Sequence, residues 1–263
     1  MIRMITCDID GTLLQEGDWE LSDRYFPIIR DVLARGIVFA VASGRQHDRL
    51  RRMFAPVAEE IFFICENGAV VFDGDRLLSE TPLDPQKAHA LIDEILAVPD
   101  MDVMISGAEQ CYLLPKSDEY VHLIRDLLGY RTQVVTSVDK IAEPIIKVSA
   151  HHADIRAVAP RFDAWSDTFQ IAVAGQEWLD FTLSDKGTGL DDICRATGID
   201  PKDVMSFGDN FNDLPLMQKV GHPYLMENAV PELKALFPCR CRDVGETLLT
   251  FLSDFGKKIS KTS

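Results

Sequence analysis

Short apolar runs separated by helix-length amphipathic segments characterise the first part of the chain. The run that begins at Met1 and those at 37–41 and 61–65 have the length and composition of buried strands. Between them, a segment ended by Gly36 and another around Leu50 carry apolar residues at helical spacing. This order of strand, helix, strand, helix and strand predicts a parallel sheet with crossover helices.

The pattern changes after Gly74. A hairpin is predicted over 70–79, and Pro82 marks a break after it. Residues 83–184 then mix helices and strands in the manner of a separate α+β unit. We predict helices near 88–96, 121–128 and 155–162, and strands near 103, 112, 133–136, 145–149, 170 and 180.

The α/β alternation resumes with a helical segment at 187–197 and a buried strand at 204–207. We therefore predict a discontinuous core domain over 1–82 and 185–263, with an α+β domain inserted at 83–184. The predicted fold class is α/β, with a Rossmann-like doubly wound parallel sheet in the core domain.

Composition excludes several classes of partner. The 263 residues include 27 Lys and Arg against 42 Asp and Glu, a net charge of −15. Nucleic-acid binding depends on cationic contacts to phosphates, so no nucleic-acid partner is expected. No apolar run approaches the roughly 18 residues of a membrane span, and the first residues resemble a core strand more than a targeting segment. Six scattered cysteines without metal-ligand spacing favour a reduced, cytoplasmic protein.

Two carboxylates one residue apart, Asp8 and Asp10, follow the first apolar run. The carboxyl ends of parallel strands are where open α/β sheets bind ligands. Because strand residues alternate between faces, we expect both side chains on one side, where their charges repel. A hard cation such as Mg²⁺ would relieve this repulsion. The alternative is an ordinary strand-to-helix turn, in which Gly11 and Thr12 serve only the backbone.

Three further polar clusters stand at comparable places in the predicted fold. They are Ser43-Gly44-Arg45, Lys186, and Asp209 with Asn212 and Asp213. In a doubly wound sheet the strand ends converge on one crevice, so we expect all four clusters to form a single site.

These clusters carry a family resemblance. The chain resembles phosphatases of the haloacid dehalogenase superfamily, in the Cof-type subfamily with a large α/β cap. The matching motifs, in order, are Asp8-Ile9-Asp10-Gly11-Thr12, Ser43, Lys186-Gly187 and the run Gly208 to Asp213, with Asn67-Gly68-Ala69 and Asn228-Ala229 also similar. The segment 178–185 is shorter than in typical members. This departure concerns the hinge of the cap and the substrate-facing loop, and it does not concern Lys186. Four motifs in order are a far stronger indication than one D-x-D pair.

The resemblance implies a mechanism that agrees with the residue types. Asp8 is the expected nucleophile and Asp10 the general acid and base. Mg²⁺ is expected on the Asp8 carboxylate, the Asp10 carbonyl and Asp209. Phosphate oxygens are expected to bind Ser43, the backbone N–H groups of Ile9 and Gly44, Asn212 and Lys186, with Thr12, Arg45 and Asp213 in supporting roles. For Arg45, both a substrate and a neighbouring carboxylate are possible partners.

The implied partner is a small phosphorylated metabolite, such as a sugar phosphate or a nucleotide-related cofactor, selected by the cap. A phosphomutase that uses the same aspartyl-phosphate is the alternative enzyme. A non-enzymatic phospho-receiver also pairs acidic residues with a lysine around Mg²⁺, but it has no use for Asp10 and is typically one compact domain. A catalytically inactive scaffold has no particular support, because every expected side chain is present.

Overall fold

The computed structural model describes residues 1–15, 20–174 and 176–259. It divides into two compact units. The first unit comprises Met1–Arg45, Leu50–Ser79 and Asp185–Ser263, and the second comprises Gln46–Arg49 and Glu80–Ser184. Relative to the predicted division, residues 80–82 and Gln46–Arg49 therefore group with the second unit. Leu83 is hydrogen-bonded within the second unit, since its N–H donates to the Ile145 carbonyl at 2.7 Å.

The described residues up to 80 form five strands and two α-helices. They are β1 (Met4–Asp8), α1 (Tyr25–Ala34), β2 (Val38–Ala42), α2 (His47–Met53), β3 (Phe62–Cys65), β4 (Val70–Asp73) and β5 (Arg76–Glu80). Pro27 lies in the first turn of α1, where a missing N–H costs no helical hydrogen bond. Ile28, Ile29 and Val32 form the buried face of that helix.

The middle of the chain contains α3 (Pro85–Leu96), β6 (Asp102–Ser106), β7 (Cys111–Leu113), α4 (Asp118–His122), β8 (Thr132–Val134), β9 (Lys147–His151), α5 (Ile155–Val158), β10 (Gln170–Ala174) and β11 (Trp178–Thr182). Their sheet has the order β10-β11-β9-β6-β7-β8. Two predicted helices change type along their length. A π-helical turn, Leu123–Leu127, follows α4, and a 3₁₀-helix, Ala159–Trp165, follows α5. Pro160 has no N–H for the α-helical ladder, which explains the second change.

The last part of the chain returns to the first unit. It contains α6 (Lys186–Thr197), β12 (Val204–Gly208), α7 (Leu214–Met217), β13 (His222–Met226), α8 (Pro231–Lys234), β14 (Arg240–Cys241) and α9 (Val244–Ile259). Gly198 ends α6 in the left-handed conformation, with φ of 66°.

The eight-stranded sheet of the first unit has the order β14-β13-β12-β1-β2-β3-β4-β5. The strands from β14 to β3 are parallel, and β4 pairs antiparallel with β3. From β1, the next strands in sequence, β2 and β3, are added on one side of the sheet. From β12, the next strands, β13 and β14, are added on the opposite side. The topological switch point therefore lies between β1 and β12, and their carboxyl ends carry Asp8 and Gly208.

Each unit has its own hydrophobic core. In the first unit, buried residues such as Met4, Ala42 and Leu190 pack between the sheet and α6. In the second, buried residues such as Leu91, Val148 and Phe162 pack between the sheet and its helices. Across the described part of the chain, no helix combines the length and apolar character needed to cross a bilayer.

Candidate active site

A tight turn follows β1 and separates the two aspartates. Asp8 ends the strand and is buried, and the Leu14 N–H donates back to the Ile9 carbonyl at 2.8 Å. Asp10 lies within this turn, and 60% of its side chain is exposed. Because β1 ends at Asp8, strand alternation does not determine the direction of the Asp10 side chain.

Lys186 joins two buried carboxylates. Its Nζ donates to Asp8 Oδ1 and to Asp213 Oδ1, at 2.6 Å each, and its side chain is fully buried. The residue stands at the start of α6, where a capping box between Asp185 and Thr188 fixes the helix terminus. Burial lowers the pKa of Lys186, but Asp213 and Asp8 outweigh it and raise that pKa above its ordinary value. The lysine therefore stays charged.

The loop after β12 supplies two more carboxylates. Asp213 Oδ2 accepts hydrogen bonds from the N–H groups of Asp209, at 3.0 Å, and Asn210, at 3.1 Å. Both oxygens of Asp213 are thus engaged, one by this loop and one by Lys186. Gly208 permits the close approach, since a Cβ there would lie 2.7 Å from the Cβ of Asp213. Asp213 consequently shapes the loop that presents Asp209.

Asp8, Asp209 and Asp213 form an acidic cluster in which one carboxylate oxygen from each lies within 4.8 Å of the others. Burial and the neighbouring Asp213 raise the pKa of Asp8 to about 7 and that of Asp209 to about 6. Asp8 Oδ2 is buried and accepts no hydrogen bond from any described residue. An oxygen-rich cluster with an unused buried oxygen and crowded negative charge fits a hard divalent cation.

Gly11 keeps this cluster open. Its φ is +83°, a conformation that favours glycine, and a Cβ at this position would overlap the Asp209 carboxylate. The Asn228 side chain holds the same turn, because its Nδ2 donates to the Gly11 carbonyl at 2.8 Å. The motif's glycine is therefore explained by its contact with a residue almost two hundred positions away.

Arg45 contacts Asp10. Its Nε donates to Asp10 Oδ2 at 3.0 Å, and its Nη2 pairs with Oδ1. Arg45 thus contacts the neighbouring carboxylate, and a contact with substrate stays a prediction. Ser43, just after β2, is buried, and its Oγ accepts the Arg45 N–H at 3.3 Å.

Asn212 is exposed, and its Nδ2 donates to Asn67 Oδ1 at 3.2 Å. The carboxamide of Asn67 lies beside Gly44, with Nδ2 3.2 Å from the point where a Cβ of Gly44 would stand. Thr12 is fully buried, and its Oγ1 makes no hydrogen bond to a described residue.

The predicted site residues thus form three contacting groups in the first unit. Asp8, Lys186, Asp209 and Asp213 form one, Asp10 with Arg45 another, and Asn212 with Gly44 the third, linked through the side chain of Asn67. Sequence reasoning gave no role to Asn67 or Asn228. Their positions in two short family-like motifs were the available indication, but their contacts depend on distant parts of the chain.

Comparison with known proteins places this arrangement in a family. The 5-amino-6-(5-phospho-D-ribitylamino)uracil phosphatase YbjI of Escherichia coli is 27% identical over 233 residues, covering 87% of this chain and 86% of that protein. An HMP-PP phosphatase of Cronobacter sakazakii is 27% identical over 246 residues, covering 90% and 89%. A crystal structure from Eubacterium rectale matches with a TM-score of 0.85 and 29% identity, covering 95% of this chain and 99% of that one.

These matches confirm the predicted fold class and the family resemblance. A family model described as haloacid dehalogenase-like hydrolase spans residues 5–245, from β1 to the beginning of α9. The chain belongs to the haloacid dehalogenase-like hydrolase family.

Proposed function

We propose that this hydrolase is a Mg²⁺-dependent phosphatase that cleaves phosphate monoesters of small metabolites through an aspartyl-phosphate intermediate. The proposal rests on how the two oxygens of the Asp8 carboxylate are bound. Lys186 binds one of its oxygens at 2.6 Å, while the other is buried and accepts no hydrogen bond from a described residue. One oxygen is thus fixed and the other remains available for attack or metal binding.

Asp8 acts as the nucleophile. One carboxylate oxygen forms a bond to phosphorus as the bond from phosphorus to the leaving oxygen breaks. A phosphate monoester is a dianion, so the attack requires cancellation of negative charge. The Lys186 ammonium supplies part of this, and it acts in a buried site where electrostatic interactions are strong.

Asp10 moves protons in both steps. Its protonated carboxyl donates to the leaving oxygen, and the resulting carboxylate then takes a proton from the water that attacks the aspartyl-phosphate. This second attack releases inorganic phosphate and restores the Asp8 carboxylate. The exposed position of Asp10 is consistent with contact to substrate and water.

The residues that would hold Mg²⁺ are Asp8 and Asp209, with the backbone carbonyl of Asp10. A bound Mg²⁺ supplies charge neutralisation for the phosphoryl group. Asp213 supports the site from outside, since both of its oxygens already accept hydrogen bonds. Ser43, Asn212 and the N–H groups of Ile9 and Gly44 complete the proposed phosphate-binding set.

The substrate class follows from the relatives. One is named for a phosphorylated ribitylaminouracil and another for HMP-PP, so both are phosphatases of small metabolites. We extend this class to the present chain, including sugar phosphates and nucleotide-related cofactors.

A cytoplasmic location is supported by the six free cysteines, five of them buried.

The test is phosphate release from a panel of phosphorylated metabolites, measured with Mg²⁺ and after metal chelation, on the wild-type protein and the Asp10→Ala and Asp8→Asn variants. We expect turnover that depends on Mg²⁺ and is lost in both variants. A wild-type protein that becomes stably phosphorylated on Asp8 without releasing phosphate would support the mutase or receiver alternatives. Turnover retained by Asp8→Asn would rule out the proposed intermediate.

A further inference from the structure

The turn Glu66–Gly68, directly after β3, has an unusual backbone. All three residues have positive φ, with values of 49°, 54° and 95°. The first two are not glycines, and such residues rarely adopt this region. Strained conformations persist where surrounding contacts impose them, and they concentrate at functional sites.

The contacts that impose this conformation come from the proposed phosphate-binding elements. The Asn67 N–H donates to the Ser43 carbonyl at 3.0 Å. Gly68 packs against the backbone of Asp185, immediately before Lys186, and a Cβ on Gly68 would overlap the Asp185 carbonyl. The turn therefore contacts both the loop after β2 and the start of α6.

The side chain of Asn67 reaches a third element. Its Oδ1 accepts the Asn212 Nδ2 hydrogen bond at 3.2 Å, and its carboxamide fills the space beside Gly44. A carboxamide nitrogen carries two hydrogens. When Asn212 donates one of them to Asn67, the direction of the other becomes fixed.

We propose that Asn67 is a positioning residue of the phosphate site. It acts through Asn212, whose remaining N–H it directs to the phosphoryl oxygens. This inference rests on the proposed phosphatase function. Asn67 is suited to the role because asparagine accepts a positive φ more readily than most residues and carries the required acceptor.

A double-mutant cycle tests the proposal. Asn67→Gly removes the carboxamide and tolerates the φ of 54°, so it separates positioning from folding. We expect Asn212→Ala to lower kcat/KM roughly a hundredfold, as for loss of one oriented donor. Asn67→Gly should lower it by about tenfold, because the donor remains but loses its orientation. In the Asn212→Ala background, Asn67→Gly should have almost no further effect.

A second variant varies the charge and keeps the acceptor. Asn67→Asp retains an oxygen for Asn212 but places a negative charge near the dianionic substrate. We expect a raised KM with little change in kcat, a division that loss of folding would not produce. A matched control is Asp100→Gly, because Asp100 is an exposed non-glycine residue with φ of 59° in the second unit. This control should keep wild-type kinetics.

The possible outcomes distinguish a failure of the Asn67 role from a failure of the proposed phosphatase function. If the wild-type protein turns over substrate and Asn67→Gly lowers kcat/KM equally in both backgrounds, Asn67 does not act through Asn212 and the inference is overturned. Wild-type kinetics in Asn67→Gly would overturn it as well. A wild-type protein without Mg²⁺-dependent turnover would instead remove the proposed function and, with it, this role.

Discussion

At the scale of single residues, the candidate site consists of side chains from separate sequence motifs that the fold brings into contact. Asp8, Lys186 and Asp209 belong to contiguous motifs, so the sequence alone could mark them as candidates. The pairing of Arg45 with Asp10 could not be predicted, since an arginine near a phosphate site serves substrate and carboxylate equally well. Asn67 gained significance only from its contacts, which join segments far apart in the chain.

The Arg45–Asp10 pair leads to a kinetic prediction. Two donors from one guanidinium orient the Asp10 carboxylate for its role as a base toward water in the second step. Arg45→Ala should therefore slow hydrolysis of the aspartyl-phosphate. Loss of one charged hydrogen bond, about 1.5–3 kcal/mol, corresponds to roughly tenfold or more in rate.

p-Nitrophenyl phosphate is a suitable substrate for this measurement, because its leaving group needs little protonation. Stopped-flow recording should show a burst of p-nitrophenol followed by slow steady turnover in Arg45→Ala. Arg51→Ala is the matched control, since Arg51 makes the same two-donor contact with Asp75 elsewhere in the first unit. Slower release without a burst would show that Arg45 affects the first step instead.

The buried lysine leads to a stability prediction. Lys186→Met would leave Asp8 and Asp213 buried without their shared counter-charge. We expect a loss of about 3–5 kcal/mol in the free energy of unfolding, measured by urea denaturation. Lys219→Met removes the exposed pair with Asp191 and a hydrogen bond to the Gly187 carbonyl, and should cost about 1–2 kcal/mol. Similar losses in the two variants would contradict the buried network.

At the scale of elements, the strands were the most predictable part of the fold. Apolar runs marked β1, β2, β3 and β12, because strands buried on both faces are continuously hydrophobic. The helices of the second unit were less predictable in their details. The π-helical turn Leu123–Leu127 and the 3₁₀-helix Ala159–Trp165 share the apolar spacing of an α-helix, so periodicity alone does not distinguish them.

The turn between β1 and the rest of the site provides a test with an internal control. Gly11 and Gly36 both have positive φ, +83° and +72°. A Cβ on Gly11 would overlap the Asp209 carboxylate, whereas a Cβ on Gly36 would meet no atom within 4 Å. Gly36→Ala should cost about 1–2 kcal/mol of stability, from backbone strain alone, and leave activity unchanged.

Gly11→Ala should carry the same strain and also displace Asp209. We therefore expect a higher Mg²⁺ concentration for half-maximal phosphate release in Gly11→Ala than in Gly36→Ala or the wild-type protein. Metal titrations at fixed substrate measure this directly. If the two alanine variants require the same Mg²⁺ concentration, the contact between Gly11 and Asp209 has no bearing on metal binding.

At the scale of the whole molecule, the α/β alternation that returns after residue 184 was enough to predict an inserted segment. That prediction required no knowledge of which residues are in contact. The structure describes two compact units, and among the described residues the core cluster around Leu91 shares no member with the one around Leu190. The assignment of Gln46–Arg49 to the second unit could not be predicted, because these residues lie in sequence among elements of the first.

Separate cores make independent folding testable. The continuous segment Glu80–Ser184, about a hundred residues, is of ordinary domain size and buries its own apolar residues. We expect this segment, expressed alone, to show the far-UV circular dichroism of an α+β protein and one cooperative thermal transition. A gradual transition with strong binding of a hydrophobic dye would contradict independent folding.

Two leucines in this segment allow the core itself to be tested. Leu91 on α3 is fully buried in the core of the second unit, whereas 64% of Leu127 is exposed. Leu91→Ala should cost about 2–5 kcal/mol, which would unfold much of the isolated segment at moderate temperature. Leu127→Ala makes the same chemical change at the surface and should alter the free energy of unfolding by about 0.5 kcal/mol or less. If the full chain and the isolated segment lose equal free energy in Leu91→Ala, this core is formed within the segment, which can then be studied apart from the candidate active site.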